Sequence, residues 1–174
     1  MDNVLILEKP SKIYESQIIE YRESFLKNNQ IISGSSSLDH YSNIDEWFKK
    51  LEIMENLNTV PACHVPSSTY LCLEKTTNNL VGMISIRHTL NENLKIIGGN
   101  IGYSIHPNYR NQGYGTIQLA LALNKCREMS LEKVLITCNQ DNIASKKVIL
   151  ANGGEFFNSI QYLNETIERY WIRL

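Results

Sequence analysis

A short polar turn between two regular patterns is the part of the sequence best suited to bind an anion. An alternating segment ends before Pro107, the turn carries Arg110, Gly113 and Gly115, and an apolar periodic segment begins at Thr116. At such a strand–turn–helix junction the turn N–H groups and the positive end of the helix dipole converge, and glycines let an anion approach the backbone closely. The spacing therefore predicts a phosphate-binding turn over residues 110–115.

This turn matches neither of the two common phosphate-binding motifs. A P-loop would end in Gly-Lys-Ser or Gly-Lys-Thr, and the dinucleotide fingerprint would need a third glycine where Gln118 stands. The remaining pattern, Arg-x-x-Gly-x-Gly, is by itself also compatible with a tight turn that binds nothing. A second pattern lies behind it, because Asn142 can cap a helix that Gly153 closes. The two patterns together favour a ligand site.

The elements that would position these residues follow from hydrophobic periodicity. Alternating or continuous apolar runs predict strands at residues 4–7, 70–74, 80–88, 96–105, 133–138, 155–161 and 166–173. Periods near that of a helix predict helices at residues 11–28, 44–56, 116–129 and 142–152, and residues 91–95 are predicted to form a turn. Residues 101–138 have the strand–helix–strand spacing that makes adjacent strands parallel. We therefore expect one α/β domain over residues 1–174.

Composition and charge argue against several classes of protein. The chain has 174 residues, of which 43% are hydrophobic and 20% charged, as in an ordinary globular domain. Its net charge of −1, without a run of Lys and Arg, gives no bulk attraction for nucleic acid or an anionic membrane. The four cysteines are widely spaced, which favours reduced thiols over a disulfide framework or a zinc site. No membrane span or signal peptide is recognised, so we expect a soluble, cytoplasmic protein.

The two patterns around the turn resemble motifs A and B of the GCN5-related N-acetyltransferase (GNAT) family. The resemblance extends over about residues 80–174. Shorter stretches look like a bacterial subgroup known as predicted acetyltransferases: Ile-Arg-His at 86–88, Gly-Gly-Asn-Ile-Gly-Tyr at 98–103, Leu-Ile-Thr-Cys at 135–138, Asn-Gly-Gly at 152–154 and Arg-Tyr-Trp-Ile at 169–172. The resemblance implies a central mixed sheet of about seven strands with about four flanking helices, and a splay between the fourth and fifth strands.

Acetyl-CoA is the cosubstrate that this resemblance implies, without a metal. The turn amides would hold its pyrophosphate, Arg110 would add charge or brace the loop, and the long arm would pair with the end of the fourth strand. Asn142 would hydrogen-bond the arm, or serve only as a helix cap. The full set of expected cofactor-binding residues is Tyr103, Ser104, Ile105, Arg110, Asn111, Gln112, Gly113, Tyr114, Gly115, Thr116, Asn142 and Ser145.

The residues that would move protons are less defined. Many family members carry an acidic tyrosine seven residues after the motif B asparagine, and this sequence has Ile149 there. The candidates for the acid are Tyr103, Tyr170 and Cys138, unless water serves. The candidates for the base are His88, Glu92, His106 and Asp141. Of the four, His88 is preferred, although a lone histidine is more often a structural residue and His106 could simply position the turn.

The sequence thus predicts an enzyme that moves an acetyl group from acetyl-CoA directly to a primary amine of a small molecule or peptide. Two alternatives remain: a module that binds CoA without catalysis, and a structural domain that has lost the cofactor. The acceptor is not identified, although the loops at residues 31–39 and 59–68 are candidates to contact it. The C-terminal strand at residues 169–174 is predicted to be an edge that could pair two copies into a homodimer.

Overall fold

The secondary structure follows the predicted order of elements, with one additional helix. The computed structural model describes residues 4–174. Its strands are β1 (Leu5–Glu8), β2 (Ser67–Glu74), β3 (Leu80–Arg87), β4 (Ile101–Ile105), β5 (Lys133–Asn139), β6 (Glu155–Tyr162) and β7 (Glu165–Arg173). Its α-helices are α1 (Glu15–Leu26), α2 (Ile44–Glu55), α3 (Glu92–Ile96), α4 (Tyr114–Glu128) and α5 (Ile143–Ala151). The mixed α and β class and the seven strands are confirmed.

The additional helix, α3, occupies the place of the turn predicted at residues 91–95. The Asn91 side chain accepts a hydrogen bond from the N–H of Leu94, at 2.9 Å, and so caps this short helix. Gly98 and Gly99 then adopt positive φ angles of 100° and 58°, which no strand accommodates. The strand predicted from residue 96 therefore begins only at Ile101.

The strands form two antiparallel sheets that meet at one point. The first has the order β1-β2-β3-β4 and the second the order β5-β7-β6, and no ladder joins β4 to β5 among residues 4–174. At the meeting point the N–H of Asn100 donates to the carbonyl oxygen of Leu135, and the Asn100 Oδ1 accepts from the N–H of Leu135. The predicted splay between the fourth and fifth strands is therefore confirmed.

A close approach of the backbones sets the vertex of this splay. A Cβ on Gly99 would lie 2.2 Å from the carbonyl oxygen of Leu135, so only glycine lets the chain run so near β5. The buried Asn100 side chain also donates to the carbonyl oxygen of Arg87. Since Asn100 contacts both β3 and β5, it holds the two sheets together where β4 begins.

Hydrophobic cores lie on both faces of the first sheet. Helices α1 and α2 cover one face with residues that include Tyr21, Phe25 and Trp47. Helix α4 covers the other face, and its core also takes in β5, α5 and β7. The buried Gln118 side chain donates to the carbonyl oxygen of Met83 at 2.7 Å, which anchors the first turns of α4 to β3. The N-terminus of α4 is thereby held against the sheet.

The prediction of a free edge at residues 169–174 is wrong. Strand β7 is the middle strand of the second sheet, because Trp171 pairs with Leu135 of β5 on one side and with Glu155 of β6 on the other. Leu174 donates its N–H to the carbonyl oxygen of Glu132. The edge strands of this sheet are β5 and β6. No helix among the described residues is long and apolar enough to cross a membrane.

Candidate functional site

Two adjoining cavities occupy the gap between the sheets. The first, of about 590 Å³, lies among the second half of β4, the turn before α4 and the start of α5. The second, of about 460 Å³, lies between β4 and β5, nearer the vertex of the splay. Both are lined by Ile31, Ser33, Tyr103, Asn142 and Ser145. Because they share these walls, the cavities make up one cleft with two ends.

The expected cofactor-binding residues converge on the first cavity. Every one of them lines it except Gln112, whose side chain donates instead to the carbonyl oxygen of Asn108 at 3.2 Å. The loop at residues 31–39 also contributes, through Ile31 and Ser33, although no pairing signal in the sequence indicated where that loop would lie.

Free backbone N–H groups distinguish the turn at residues 110–115. Asn111 and Gly113 have positive φ angles of 61° and 79°, which curl the chain before α4 begins. The N–H groups of residues 111–115 have no hydrogen-bond acceptor among residues 4–174, whereas the N–H of Thr116 donates to the carbonyl oxygen of Gly113. A Cβ on Gly113 would meet nothing within 4 Å, so open space lies in front of these donors. The turn therefore fits a phosphate-bearing ligand.

Arg110 and His106 hold this turn in shape. The Arg110 guanidinium donates to the carbonyl oxygen of Ile105 at 3.1 Å and to Gln30 at 2.8 Å. The His106 Nδ1 accepts from the N–H of Asn108 at 3.2 Å, and the imidazole is only 5% exposed. Burial lowers the pKa of His106, which matches a ring nitrogen that must stay unprotonated to accept this bond. Both side chains position the turn through the contacts they make.

The peptide groups of Tyr103 face the gap. On either side of β4, the carbonyl oxygen of Asn100 accepts from the N–H of Arg87 and the N–H of His106 donates to the carbonyl oxygen of Val81, both on β3. The alternation of an antiparallel ladder therefore turns the odd-numbered peptides of β4 away from β3 and toward β5. Arg110 already occupies the carbonyl oxygen of Ile105. Both the N–H and the C=O of Tyr103 are thus available to an extended ligand arm.

A hydrogen-bonded pair stands where the two cavities meet. The Tyr103 hydroxyl lies 2.8 Å from the Ser145 Oγ, and the N–H of Ser145 donates to the Asn142 Oδ1 at 3.0 Å. Burial raises the pKa of Tyr103 to about 12, although the bond with Ser145 opposes this. The phenol is therefore protonated at neutral pH. Asn142 caps α5 as predicted, and in doing so fixes the orientation of Ser145.

The other candidate acids occupy different surroundings. Cys138 lines the second cavity, is 8% exposed, and has its pKa raised by burial. Tyr170 hydrogen-bonds to Glu168 and lines neither cavity. Ile149, where the family often has its tyrosine, is fully buried in the core around α4. Of these residues, only Cys138 lies in the cleft with Tyr103.

The candidate bases lie outside both cavities. The His88 Nε2 is 2.9 Å from the Ser68 Oγ, which donates to Glu55, and burial lowers the pKa of His88. Glu92 pairs with Lys95 on the exposed face of α3, and Asp141 is exposed in the turn before α5. The cleft thus brings together Tyr103 and Cys138 but not His88.

The second cavity contains residues that the sequence did not single out. Arg87, Thr137 and Glu165 all line it. Successive side chains of a strand point to opposite faces, so Arg87 lies on the opposite face of β3 from Ile86. This alternation could have identified Arg87 as a candidate site residue from the sequence. Glu165 could not have been found in this way, since its position depends on how β7 pairs with β5.

Comparison with known proteins identifies one family. A family model described as an acetyltransferase (GNAT) domain matches residues 36–155. No curated protein matches the chain at a significant level.

Solved structures share the fold over almost the whole chain. The acetyl transferase of Salmonella typhimurium that modifies the N-terminal serine of the 50S ribosomal subunit protein L7/L12 is 22% identical, with a TM-score of 0.64, and the match covers 98% of this chain and 95% of that one. A RimL ribosomal L7/L12 alpha-N-protein acetyltransferase in complex with coenzyme A is 20% identical, with a TM-score of 0.66 and coverage of 98% and 94%.

A third structure contains the acetylated form of the coenzyme. The microcin C7 self immunity acetyltransferase MccE, in complex with acetyl-CoA and AMP, is 17% identical, with a TM-score of 0.66 and coverage of 99% and 94%. At these identities the likeness shows the fold alone.

Proposed function

Because the chain belongs to the GNAT acetyltransferase family, we propose that it moves the acetyl group of acetyl-CoA directly to a primary amine of a small molecule or peptide. The observation that carries this proposal is the row of free N–H groups at residues 111–115, which open onto the first cavity. The whole chain, residues 1–174, acts as one domain in this proposal, since both sheets contribute walls to the cleft.

The donor side of the cleft binds by backbone contacts. The N–H groups of residues 111–115 hold the pyrophosphate, with Arg110 bracing the turn from behind. The Tyr103 peptide pairs with the amide-bearing arm, and Asn142 and Ser145 contact the arm from α5. Acetyl-CoA supplies the acetyl thioester when it is bound. Support comes from RimL and MccE, which share this fold and are described as complexes with coenzyme A and acetyl-CoA.

Tyr103 is the proposed acid. Its hydroxyl retains its proton up to a pH of about 12 and stands where the two cavities meet, so it can give a proton to a departing thiolate while Ser145 keeps the ring in place. The Cys138 thiol is the second candidate, because it also faces the cleft and burial keeps it protonated.

The proposed base is less constrained than the acid. Glu165 is the carboxylate that lines the second cavity, and it can accept a proton from an incoming ammonium group. A catalytic role for His88 stays a prediction, because its imidazole is bound to Ser68 away from the cavities. A homodimer and a cytoplasmic location also stay predictions.

Proteins of the same fold support the proposed acceptor class. The RimL structure is described as an alpha-N-protein acetyltransferase of a ribosomal protein, which supports an amine of a peptide or of a comparably small molecule. The competing function is a module that binds CoA without catalysis. It is favoured by the buried Ile149, which leaves no tyrosine where many family members have their acid.

A thermal shift experiment tests donor binding. We expect acetyl-CoA to raise the melting temperature by mass action, and Gly113→Trp to abolish the rise, because the indole fills the space in front of the N–H groups. The matched control is Gly153→Trp. Gly153 has a φ of 81°, close to the 79° of Gly113, and likewise has nothing within 4 Å of its Cβ position, but it lies outside both cavities.

The outcomes separate the three functions. An unchanged melting temperature at millimolar acetyl-CoA would leave only a structural domain. Equal loss of the shift in both glycine variants would show that general strain, and not the turn, is responsible. Thiol release should then be measured across polyamines, amino acids, aminoglycosides and peptide N-termini. Binding without release of CoA on any amine would favour the non-catalytic module.

A further inference from the structure

Arg87, the last residue of β3, places a guanidinium without an ion-pair partner in the wall of the second cavity. Its Nη1 donates to the carbonyl oxygens of Gly98 at 2.9 Å and Gly99 at 3.0 Å. No carboxylate among residues 4–174 lies within 4.0 Å of it. The side chain is half-buried, and burial lowers the pKa of Arg87.

Two donors of this guanidinium remain unused. The Nε and Nη2 of Arg87 have no acceptor among the described residues. The Arg87 Nη2 lies near Gly102, and a Cβ built on Gly102 would be 4.0 Å from it. Because Gly102 has no side chain, nothing from this residue stands between the Arg87 Nη2 and the cavity. A buried cation is costly unless it is paired and hydrogen-bonded. The planar fork of an arginine matches a carboxylate, which can accept two parallel N–H bonds.

The cavity that contains Arg87 is the one in which the acceptor amine would sit. It is lined by Tyr103 and Cys138, the two candidate acids, and its volume of about 460 Å³ suits a small molecule or the end of a chain. Glu165 is its acidic residue. The single charge of one guanidinium balances a carboxylate, whereas a phosphate dianion would keep an uncompensated charge in a cavity that already contains Glu165.

We propose that the acceptor is an amine that also carries a carboxylate, and that Arg87 binds this carboxylate and thereby determines specificity. The inference rests on the proposed function, since it assigns the substrate class of the same cleft. A purely structural role, in which Arg87 ties the β3–β4 connection together, accounts for the Nη1 contacts with Gly98 and Gly99 but leaves Nε and Nη2 unused.

Matched pairs of amines test the inference. Amino acids should be compared with their carboxamides, with the corresponding amines that lack the carboxyl group, and with phosphoethanolamine. We expect kcat/KM to be about 10- to 100-fold higher for the acid than for its carboxamide, the range typical of a hydrogen bond to a charged group. In Arg87→Gln, which keeps a donor for Gly98 and Gly99, the KM of the acid should rise by a similar factor and the preference should vanish.

Two further measurements separate recognition from structure. The Kd of acetyl-CoA should be unchanged in Arg87→Gln, and Arg87→Lys should recover part of the preference. If Arg87→Gln does not fold, the comparison of acid with carboxamide in the native protein decides alone. Equal rates for acid and carboxamide, a preference for the phosphate, or a preference that survives in Arg87→Gln would overturn the inference while leaving the acetyltransferase intact.

A binding experiment tests the inference even if no amine is acetylated. In the presence of CoA, calorimetry should detect N-acetyl amino acids more tightly bound than N-acetyl amino amides. Equal binding, or none, would overturn the inference. Failure of the proposed function gives a different result, because acetyl-CoA would then release no thiol with any amine, whether or not it binds.

Discussion

At the scale of single residues, the cleft depends on a side-chain contact across the gap between the sheets. Tyr103 belongs to β4 and Ser145 to the first turn of α5, and their hydroxyl groups meet at 2.8 Å. The backbone N–H of Ser145 donates to the Asn142 side chain. The residue that caps α5 therefore also orients Ser145, the partner of Tyr103. This contact supports the proposal that Tyr103, on β4, acts as the acid that the sequence lacks at Ile149.

Tyr103→Phe tests this assignment. We expect kcat to fall by about 10²- to 10⁴-fold, the range for loss of a general acid, while the free energy of unfolding falls by only about 1 kcal/mol for one lost hydrogen bond. Steady-state kinetics and urea unfolding measure the two effects. Because the pKa of Tyr103 is raised to about 12, the kcat of the native protein should show no alkaline decline from this group below a pH of about 11.

Tyr170→Phe is the comparison for this experiment. The Tyr170 hydroxyl bonds to Glu168 outside both cavities, so its removal should leave kcat unchanged. A Tyr103→Phe protein that retains full kcat would show that the thiolate receives its proton elsewhere, and a fall confined to Tyr170→Phe would reassign the acid.

At the scale of elements, a loop closes the cleft by packing on a strand. Gly34, in the loop after α1, has a φ of 77° and lies against β4 at Gly102. A Cβ on Gly34 would be 2.2 Å from the carbonyl oxygen of Gly102. Because that oxygen belongs to the backbone, it cannot move aside without displacing β4. Residues on both sides of this contact, including Ser33 and Tyr103, line the cavities.

Gly34→Ala should therefore destabilise the protein more than a positive φ angle alone explains. We expect a loss of about 2–4 kcal/mol, the sum of left-handed strain and overpacking, measured by urea unfolding. Gly153→Ala is the matched control, since its φ of 81° is similar and its Cβ position is open. That variant should lose about 1 kcal/mol. Equal losses in the two variants would mean that the loop moves away from β4 without cost.

At the scale of the whole molecule, the fold shifts the pKa values of several titratable groups and so makes stability depend on pH. Burial lowers the pKa of both His88 and His106. The neighbours of His106 are Glu20, which favours the charged imidazole, and Arg110, which opposes it. Hydrogen bonds from Thr77 and Tyr114 lower the pKa of Glu74.

These shifts predict that stability falls in two ranges on acidification. A histidine with a lowered pKa stabilises the fold above its unfolded value of about 6.5, and this contribution is lost as the pH falls through the folded value. Glu74 follows the same rule below its ordinary value of 4.5. Urea midpoints measured from pH 8 to pH 4 should therefore fall first below about 6.5 and again below about 4.5.

A double variant identifies the first range. His88→Gln combined with His106→Gln removes both imidazoles, so the midpoint should be nearly constant between pH 7 and pH 5.5 while the fall near pH 4 remains. A midpoint in the native protein that does not change between pH 7 and pH 5.5 would contradict the assignment, as would an unaltered slope in the double variant.

The local parts of the site were predictable because each depends on residues close together in the chain. Gly113 forms the curled turn, Asn142 caps α5 within three residues, and the strand and helix order follows from periodicity. Turns, caps and periodic patterns of this kind depend on residue types at short, fixed spacings, which the sequence shows directly. By itself the sequence therefore determined the family, the two motifs, and the splay that the resemblance implied.

Only the tertiary structure decided which distant side chains meet. The Tyr103 contact with Ser145 spans 42 positions, and the exclusion of His88 from the cleft depends on Ser68, 20 positions away. Strand β7 lies in the middle of its sheet because both β5 and β6 pair with it. Arg87 lines the second cavity, and no carboxylate among residues 4–174 forms an ion pair with it. Contacts of this kind arise from how the two sheets and their helices pack, and no local pattern encodes them.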